Sequence, residues 1–249
     1  MPAPSGPAPL DTFAYEPSDA VALPAHLAGC TLCPRLVAHR EEVAREKRRA
    51  YRDQPYWGRP VPGFGDVRAR IVLLGLAPGA HGSNRTGRMF TGDASGDFLY
   101  PSLYRTGFAS QPEATHKRDG LELRDVWITS AARCVPPGNR PTREEVITCR
   151  RWLERDFGFL TEARLVVALG SIGHDAYLEL LRSQGVRLTK NRFPFGHGRL
   201  HRPPGGLPLL DTFHPSFQNT NTGKLTPQMM DEIFLQAREI AGATERPAG

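Results

Sequence analysis

Residues 71–79 read Ile71-Val72-Leu73-Leu74-Gly75-Leu76-Ala77-Pro78-Gly79. Four apolar side chains in succession, without polar alternation and too short for a helix, describe a strand over about 70–76 that is buried on both faces. The glycine and proline behind them end it in a loop. The pattern recurs in Val126-Trp127-Ile128-Thr129, in a strand at 164–169 containing Leu165-Val166-Val167-Ala168-Leu169, and near 207–213. A basic helix around Leu36 to Arg52 precedes the strands, helical periods fill the gaps between them, at about 95–106, from Arg143 to Phe157 and from Ile172 to Arg182, and an amphipathic helix closes the chain from about Pro227 to Ile240. Strands that alternate with helices form a parallel sheet covered on both faces, so the fold class is α/β. In such sheets the working groups sit in loops beyond the carboxyl ends of the strands.

Around this core, 249 residues with 39% hydrophobic content suit one domain. We assign it residues 21–243, with a flexible Pro-rich N-terminal tail over 1–20 and a C-terminal tail over 244–249. The 25 Gly and 23 Pro imply many loops. No run approaches the roughly 18 apolar residues of a membrane span. No basic residue precedes Arg35, so the tail is no secretory signal, and a soluble, cytoplasmic protein is expected. The net charge is +6, and only Lys47, Lys117, Lys190 and Lys224 are lysines among 32 basic residues. From Arg182 to Arg202 there are six basic side chains and no acidic one, and from Arg35 to Arg70 ten against five. Segments so one-sided favour a phosphate-facing surface.

The four cysteines are spaced informatively. Cys30-Thr31-Leu32-Cys33 is a C-x2-C followed by Pro34, and fourteen residues lie between Cys134 and Cys149. Thr142-Arg143-Glu144-Glu145 has the form of a capping box, which starts the helix that carries Cys149. Four thiolates suit zinc and an iron–sulfur cluster alike, and spacing does not separate the two; either site is structural, because four protein thiolates leave a metal no open position.

Three loops have the composition of a ligand site: Gly75 to Asp93, Ser130 to Asn139, and His214 to Thr226. The first is neither a Walker loop nor a dinucleotide fingerprint, yet its small residues let backbone amides approach a planar or anionic ligand. In the last, His214 stands at a strand end before Pro215, with Phe217 and Gln218 available as a wedge into a base stack.

Gly75-Leu76-Ala77-Pro78-Gly79 running on to Gly87-Arg88-Met89-Phe90-Thr91-Gly92-Asp93, the later His214-Pro215-Ser216, and the spaced cysteines together resemble the uracil-DNA glycosylase superfamily, most closely family 5, the B-type iron–sulfur enzymes. The resemblance spans roughly residues 28 to 240. It implies a three-layer αβα sandwich around a four-stranded parallel sheet, with an N-terminal cluster-binding segment. It implies a [4Fe-4S] cluster, rather than zinc, on Cys30, Cys33, Cys134 and Cys149. It further implies a monomeric DNA repair glycosylase of a bacterial or archaeal nucleoid, acting on double-stranded DNA that contains a deaminated base.

On this resemblance, Asp93 holds the attacking water, His214 stabilises the departing base, and Asn139 orients base or water. Gly75, Ala77, Gly79 and Phe90 receive the base; Arg85, Arg88, Ser216, Phe217 and Gln218 contact DNA. Two positions depart from the related iron–sulfur family 4: Leu76 stands where that family carries an acid, and Ser130 where it carries a base-reading Asn. Leucine cannot activate water, which passes that task to Asp93 and leaves open a catalytically inactive iron–sulfur DNA-binding protein. An electron carrier has no need of two base-sized polar loops.

Overall fold

The apolar runs pair side by side, as burial on both faces demands. The computed structural model describes residues 19–243. In chain order the elements are α1 (Asp19–Ala28), α2 (Pro34–Glu46), β1 (Phe64–Gly65), β2 (Ile71–Gly75), α3 (Ser83–Thr86), α4 (Ala94–Arg105), β3 (Val126–Ser130), α5 (Arg143–Phe159), β4 (Leu165–Leu169), α6 (Ser171–Ser183), β5 (Leu200–His201), β6 (Leu209–Thr212), α7 (Phe217–Asn221) and α8 (Pro227–Ala241). The sheet order is β1-β3-β2-β4-β6-β5. Its four central strands are parallel, with Leu73 opposite Ile128 on one side and Val167 on the other. The two-residue strands β1 and β5 extend the expected four by one antiparallel strand at each edge.

Alternate residues of each strand supply the two hydrophobic layers, as the two-residue strand period requires. Ile71, Leu73, Ile128 and Val167 pack with Leu99 and Leu103 of α4 and with Ile233 and Phe234 of α8. Val72, Leu74, Trp127 and Val166 face the opposite way, toward Leu23 and Leu27 of α1, Trp152 and Leu153 of α5, and Tyr177 and Leu181 of α6. The result is helix, sheet, helix. At Gly173 in α6 a Cβ would overlap the Leu74 carbonyl, so only glycine lets that helix lie this close to β2.

Helix starts follow the local chemistry. Thr142 and Glu145 close the capping box, and Glu145 also receives Arg35 at 2.6 and 2.8 Å, which ties α2 to the start of α5. Two boundaries differ from the sequence reading. Most of the tail expected over 1–20, and all of that over 244–249, lies outside the described residues; Asp19 and Ala20 belong to α1, whose Leu23 and Leu27 reach the core. The basic stretch through Arg52 is also not one helix: it breaks at Lys47, where φ is +54°, and resumes as a 3-10 turn over Arg49–Tyr51. Among the described residues no helix is long and apolar enough to cross a membrane.

Candidate active site

The chain leaves β2 toward β3 on one side and reaches β4 on the other, so the carboxyl ends of the central strands flank a topological switch point. There the loops after β2, β3 and β6 enclose a cleft of about 760 Å³. Gly75, Ala77, Gly79, Phe90, Asp93, Asn139, His214, Ser216, Phe217 and Gln218 all line it, beside Leu76 and Ser130. Residues from three separated stretches of sequence therefore face one space.

Asp93 is the N-cap of α4. Its Oδ1 accepts the backbone N–H groups of Ser95 and Gly96, each at 3.1 Å. The other oxygen points at the glycine loop: a Cβ on Gly79 would stand 2.8 Å from Oδ2, and one on Gly82 would overlap it. Glycine at both positions keeps that oxygen open, and among the described residues it has no hydrogen-bond partner. Burial pushes the carboxyl above its usual range, while the two cap N–H groups pull it back. Asp93 thus has one oxygen fixed to the scaffold and one free to hold water.

His214 follows β6, and burial holds its imidazole down to about 4. The ring is therefore neutral through the physiological range and acts as a hydrogen-bonding dipole. Phe90 lies beside it, ring centroids 5.9 Å apart and planes 35° from parallel. The Phe90 backbone has φ of +51°, a strained conformation for an aromatic residue. It is held there by the Ser83 hydroxyl, which accepts its N–H at 3.0 Å, and by Gly96, where any Cβ would strike the Phe90 carbonyl. Asn139, in the 3-10 turn Pro137–Asn139, also has positive φ and is exposed, with its side-chain amide free among the described residues. Phe217 opens α7 at the cleft with 66% of its surface exposed.

A family model described as the uracil DNA glycosylase superfamily matches residues 62–238, the span that carries the loops after β2, β3 and β6. The chain belongs to that superfamily. Among curated proteins it is 55% identical over 216 residues to a type-5 uracil-DNA glycosylase of Thermus thermophilus, covering 87% of this chain and 95% of that one. It is 49% identical over 221 residues to a type-5 uracil-DNA glycosylase of Mycobacterium bovis, covering 88% and 81%. A third protein so named, from Pyrobaculum aerophilum, is 43% identical over 216 residues, covering 87% and 91%.

Two expectations for the superfamily's DNA face need correction. Arg88 is buried, gives both terminal nitrogens to Asp119 at 2.7 Å and its Nε to Thr91 at 2.9 Å, and lies against the Phe64 ring. Arg85 donates to the carbonyls of His81 and Gly92 and to Gln54, with its guanidinium 4.0 Å from the centre of the Tyr51 ring. Both arginines brace the glycine loop from within rather than presenting to a phosphate. Arg48, Tyr51 and His81, which the sequence reading did not single out, line the cleft instead. Ser216 lines it too, and its hydroxyl caps α7 through the Asn219 N–H.

The four cysteines lie together on the far side of the segment that leads to Asn139. Cys30, Cys33, Cys134 and Cys149 line one small cavity together with Arg40 and Arg133. Arg40 donates to the Cys134 sulfur at 3.1 Å and the Arg133 backbone N–H to that of Cys149 at 3.2 Å. Arg40 and Arg133 are almost wholly buried, and among the described residues Arg40 Nε and Arg133 Nε and Nη1 find no partner. Buried cations with unused donors beside four thiols fit a bound anionic thiolate group. Burial raises the Cys33 and Cys134 thiols and pushes Cys149 up to about 12, so a metal's charge is what would keep them as thiolates.

Among the described residues only His174, His201 and Asp211 form a set of three or more whose ligand atoms all lie within 4.8 Å of one another. The His174 trio is explained without metal. His174 Nδ1 lies 2.8 Å from Asp211 and Nε2 lies 2.9 Å from the Phe193 carbonyl, so both ring nitrogens face acceptors. Burial opposes a charge there, and Asp211 nevertheless holds the ring above the ordinary histidine range. The trio is a buried ion pair that fastens β6 to α6.

Proposed function

We propose that the protein is a monofunctional uracil-DNA glycosylase, which turns a deaminated base out of double-stranded DNA and hydrolyses its N-glycosidic bond to leave an abasic site. One observation carries this reading: the free oxygen of Asp93, the strained Phe90 ring, the open amide of Asn139 and the neutral imidazole of His214 line one cleft. The names of the relatives support it.

The target bond lies inside the duplex, so the nucleotide must first leave the stack, at a cost of roughly a few kcal/mol. Phe217 is placed to fill the gap, because an exposed aromatic ring at the cleft gains cover when it enters the stack. The extruded base stacks on Phe90. As the glycosidic bond lengthens, the sugar becomes positive and the base negative. The Asp93 carboxylate offsets the sugar charge and takes a proton from the water that attacks C1′, while an N–H of His214 and the glycine-loop amides hold the base oxygen. Asn139 orients the base or the water.

Leu76 replaces a carboxylate in the cleft wall, and a wall without that charge accepts hypoxanthine and xanthine as well as uracil. We assign the four cysteines to a [4Fe-4S] cluster on their shared cavity, the buried cations around it and the resemblance to the iron–sulfur enzymes of family 5; once bound, it would staple the segment leading to Asn139 to the N-terminal helices, without a chemical step of its own.

The test is a panel of uracil, hypoxanthine and xanthine duplexes, scored for strand breakage after alkali. Alkali-labile sites at uracil are expected; their absence with retained duplex binding would establish the inactive DNA-binding protein instead. His214→Ala is expected to lower the single-turnover rate about 10²- to 10³-fold, the worth of one oxyanion donor. The pH profile adds a second check. A histidine that titrates near 4 stays neutral across pH 6–7, so the rate should show no step at the ordinary histidine value. The acid limb belongs to the carboxyl of Asp93: protonation removes the base, and because burial raises that group, activity falls at a higher pH than for an ordinary aspartate. A step near pH 6.5 that His214→Ala abolished would overturn the neutral-imidazole assignment.

A further inference from the structure

The cleft, at about 760 Å³, is several times larger than a uracil ring of eight heavy atoms needs at about 30 Å³ per water-sized unit. The excess admits the sugar and the backbone beside it, and Arg48, Tyr51 and His81 line the cleft without a part in the chemistry above.

Their hydrogen bonds define what they offer. The Tyr56 hydroxyl accepts the Arg48 backbone N–H at 3.3 Å and lies 3.0 Å from His81 Nδ1. Among the described residues that hydroxyl has no other acceptor, so its proton goes to Nδ1. Burial, followed by the charges of Arg48 and Arg85, holds the His81 ring below its ordinary range and hence neutral. The ring's own proton is then on Nε2, which has no protein partner among the described residues. Arg85 fixes this arrangement from beneath, since it binds the His81 carbonyl at 2.6 Å while lying against the Tyr51 ring. The Arg48 guanidinium is exposed and engages no protein group among the described residues. The same cleft contains two carboxylates, Asp93 and Asp97, which would repel a backbone phosphate drawn in behind the base. A pair of unused donors in that setting has an anion to meet.

Resting on the glycosylase reading, we propose that Arg48 and His81 form a clamp on a phosphodiester flanking the extruded nucleotide, His81 through Nε2–H and Arg48 through its guanidinium. The clamp offsets the two carboxylates where the strand enters and holds the sugar over Asp93.

The test combines variants with duplexes in which the phosphate 5′ or 3′ to the uracil is replaced by an uncharged methylphosphonate. Arg48→Gln and His81→Leu are each expected to weaken duplex binding about ten- to a hundredfold. Arg48→Gln should also lower the slope of log affinity against log salt by about 0.9, the share of one neutralised phosphate, and Arg48→Lys should restore it. One of the two methylphosphonates should weaken wild-type binding at least as much and cost each single variant less than it costs wild type, because one of the two donors is already gone. Wild-type salt slopes, or methylphosphonate effects that add fully to both variants, would overturn the clamp. Wild-type protein that fails to release uracil overturns the glycosylase reading instead, and the binding arm still reports on the clamp.

Discussion

Asp93→Asn is expected to lower the single-turnover release of uracil from a U:G duplex by about 10²- to 10⁴-fold, the range of a lost general base, while the melting temperature stays within about a degree of wild type. The separation arises because the two oxygens of this side chain have different duties. Oδ1 caps α4 by accepting from Ser95 and Gly96, and asparagine caps as well as aspartate does. Oδ2, in the notch left open by Gly79 and Gly82, needs a negative charge to order water and face a sugar cation, and an amide supplies none. Asp93→Ala removes both duties. It should show the same fall in rate together with a loss of about 1 kcal/mol, or roughly 2–4 °C, from the missing cap. Rate measurements on both variants, paired with thermal melts, separate the roles. A wild-type rate in Asp93→Asn would transfer the water to another group lining the cleft, such as Asn139.

This division of labour could be read only in part from the chain. The four central strands were legible because each is an unbroken apolar run, the mark of burial on both faces, and the loops behind them inherit the site from the sheet's topology. The edge strands β1 and β5 are two residues long and leave no periodic trace. Helix α1 was obscured by Pro24 within it and by the Pro-rich residues before it. Charge misled at Arg85 and Arg88 for a physical reason: a guanidinium that meets a phosphate and one that meets Asp119, 31 residues away, look alike until the loop is folded. Arg48 and His81 were silent because what distinguishes them, a tyrosine hydroxyl that fixes one ring nitrogen and leaves the other open, is a relation between three side chains.

The cysteines were the opposite case, legible in spacing and decided by what surrounds them. Cys149→Ser is expected to abolish the visible absorbance and iron content of the purified protein and to lower its melting temperature by about 10 °C or more. The reasoning starts from Arg40 and Arg133, two guanidiniums that are 3% and 1% exposed and retain nitrogens without partners. An anionic four-thiolate group answers both. When one ligand is removed the group is lost, burial favours the protonated thiols of Cys33 and Cys134, and the two cations stay behind. Asp156 still pairs with Arg133, but among the described residues the one carboxylate near Arg40 is the exposed Glu41 at 3.7 Å, and its other partners, the Cys30 carbonyl and the Cys134 sulfur, carry no full charge once the thiol is protonated. An uncompensated buried charge costs about 3–5 kcal/mol, and at roughly 2–4 °C per kcal/mol for a domain of this size the fall is on the order of 10 °C. Cys30→Ser, at the less buried end of the set, should lose iron in the same way. Because the segment from Cys134 to Asn139 is anchored at this site, any folded remnant should cleave slowly while its Asp93 cap stays intact. Zinc in place of iron would reassign the metal, and unchanged metal content with an unchanged melting temperature in Cys149→Ser would remove the four cysteines from the architecture of the site altogether.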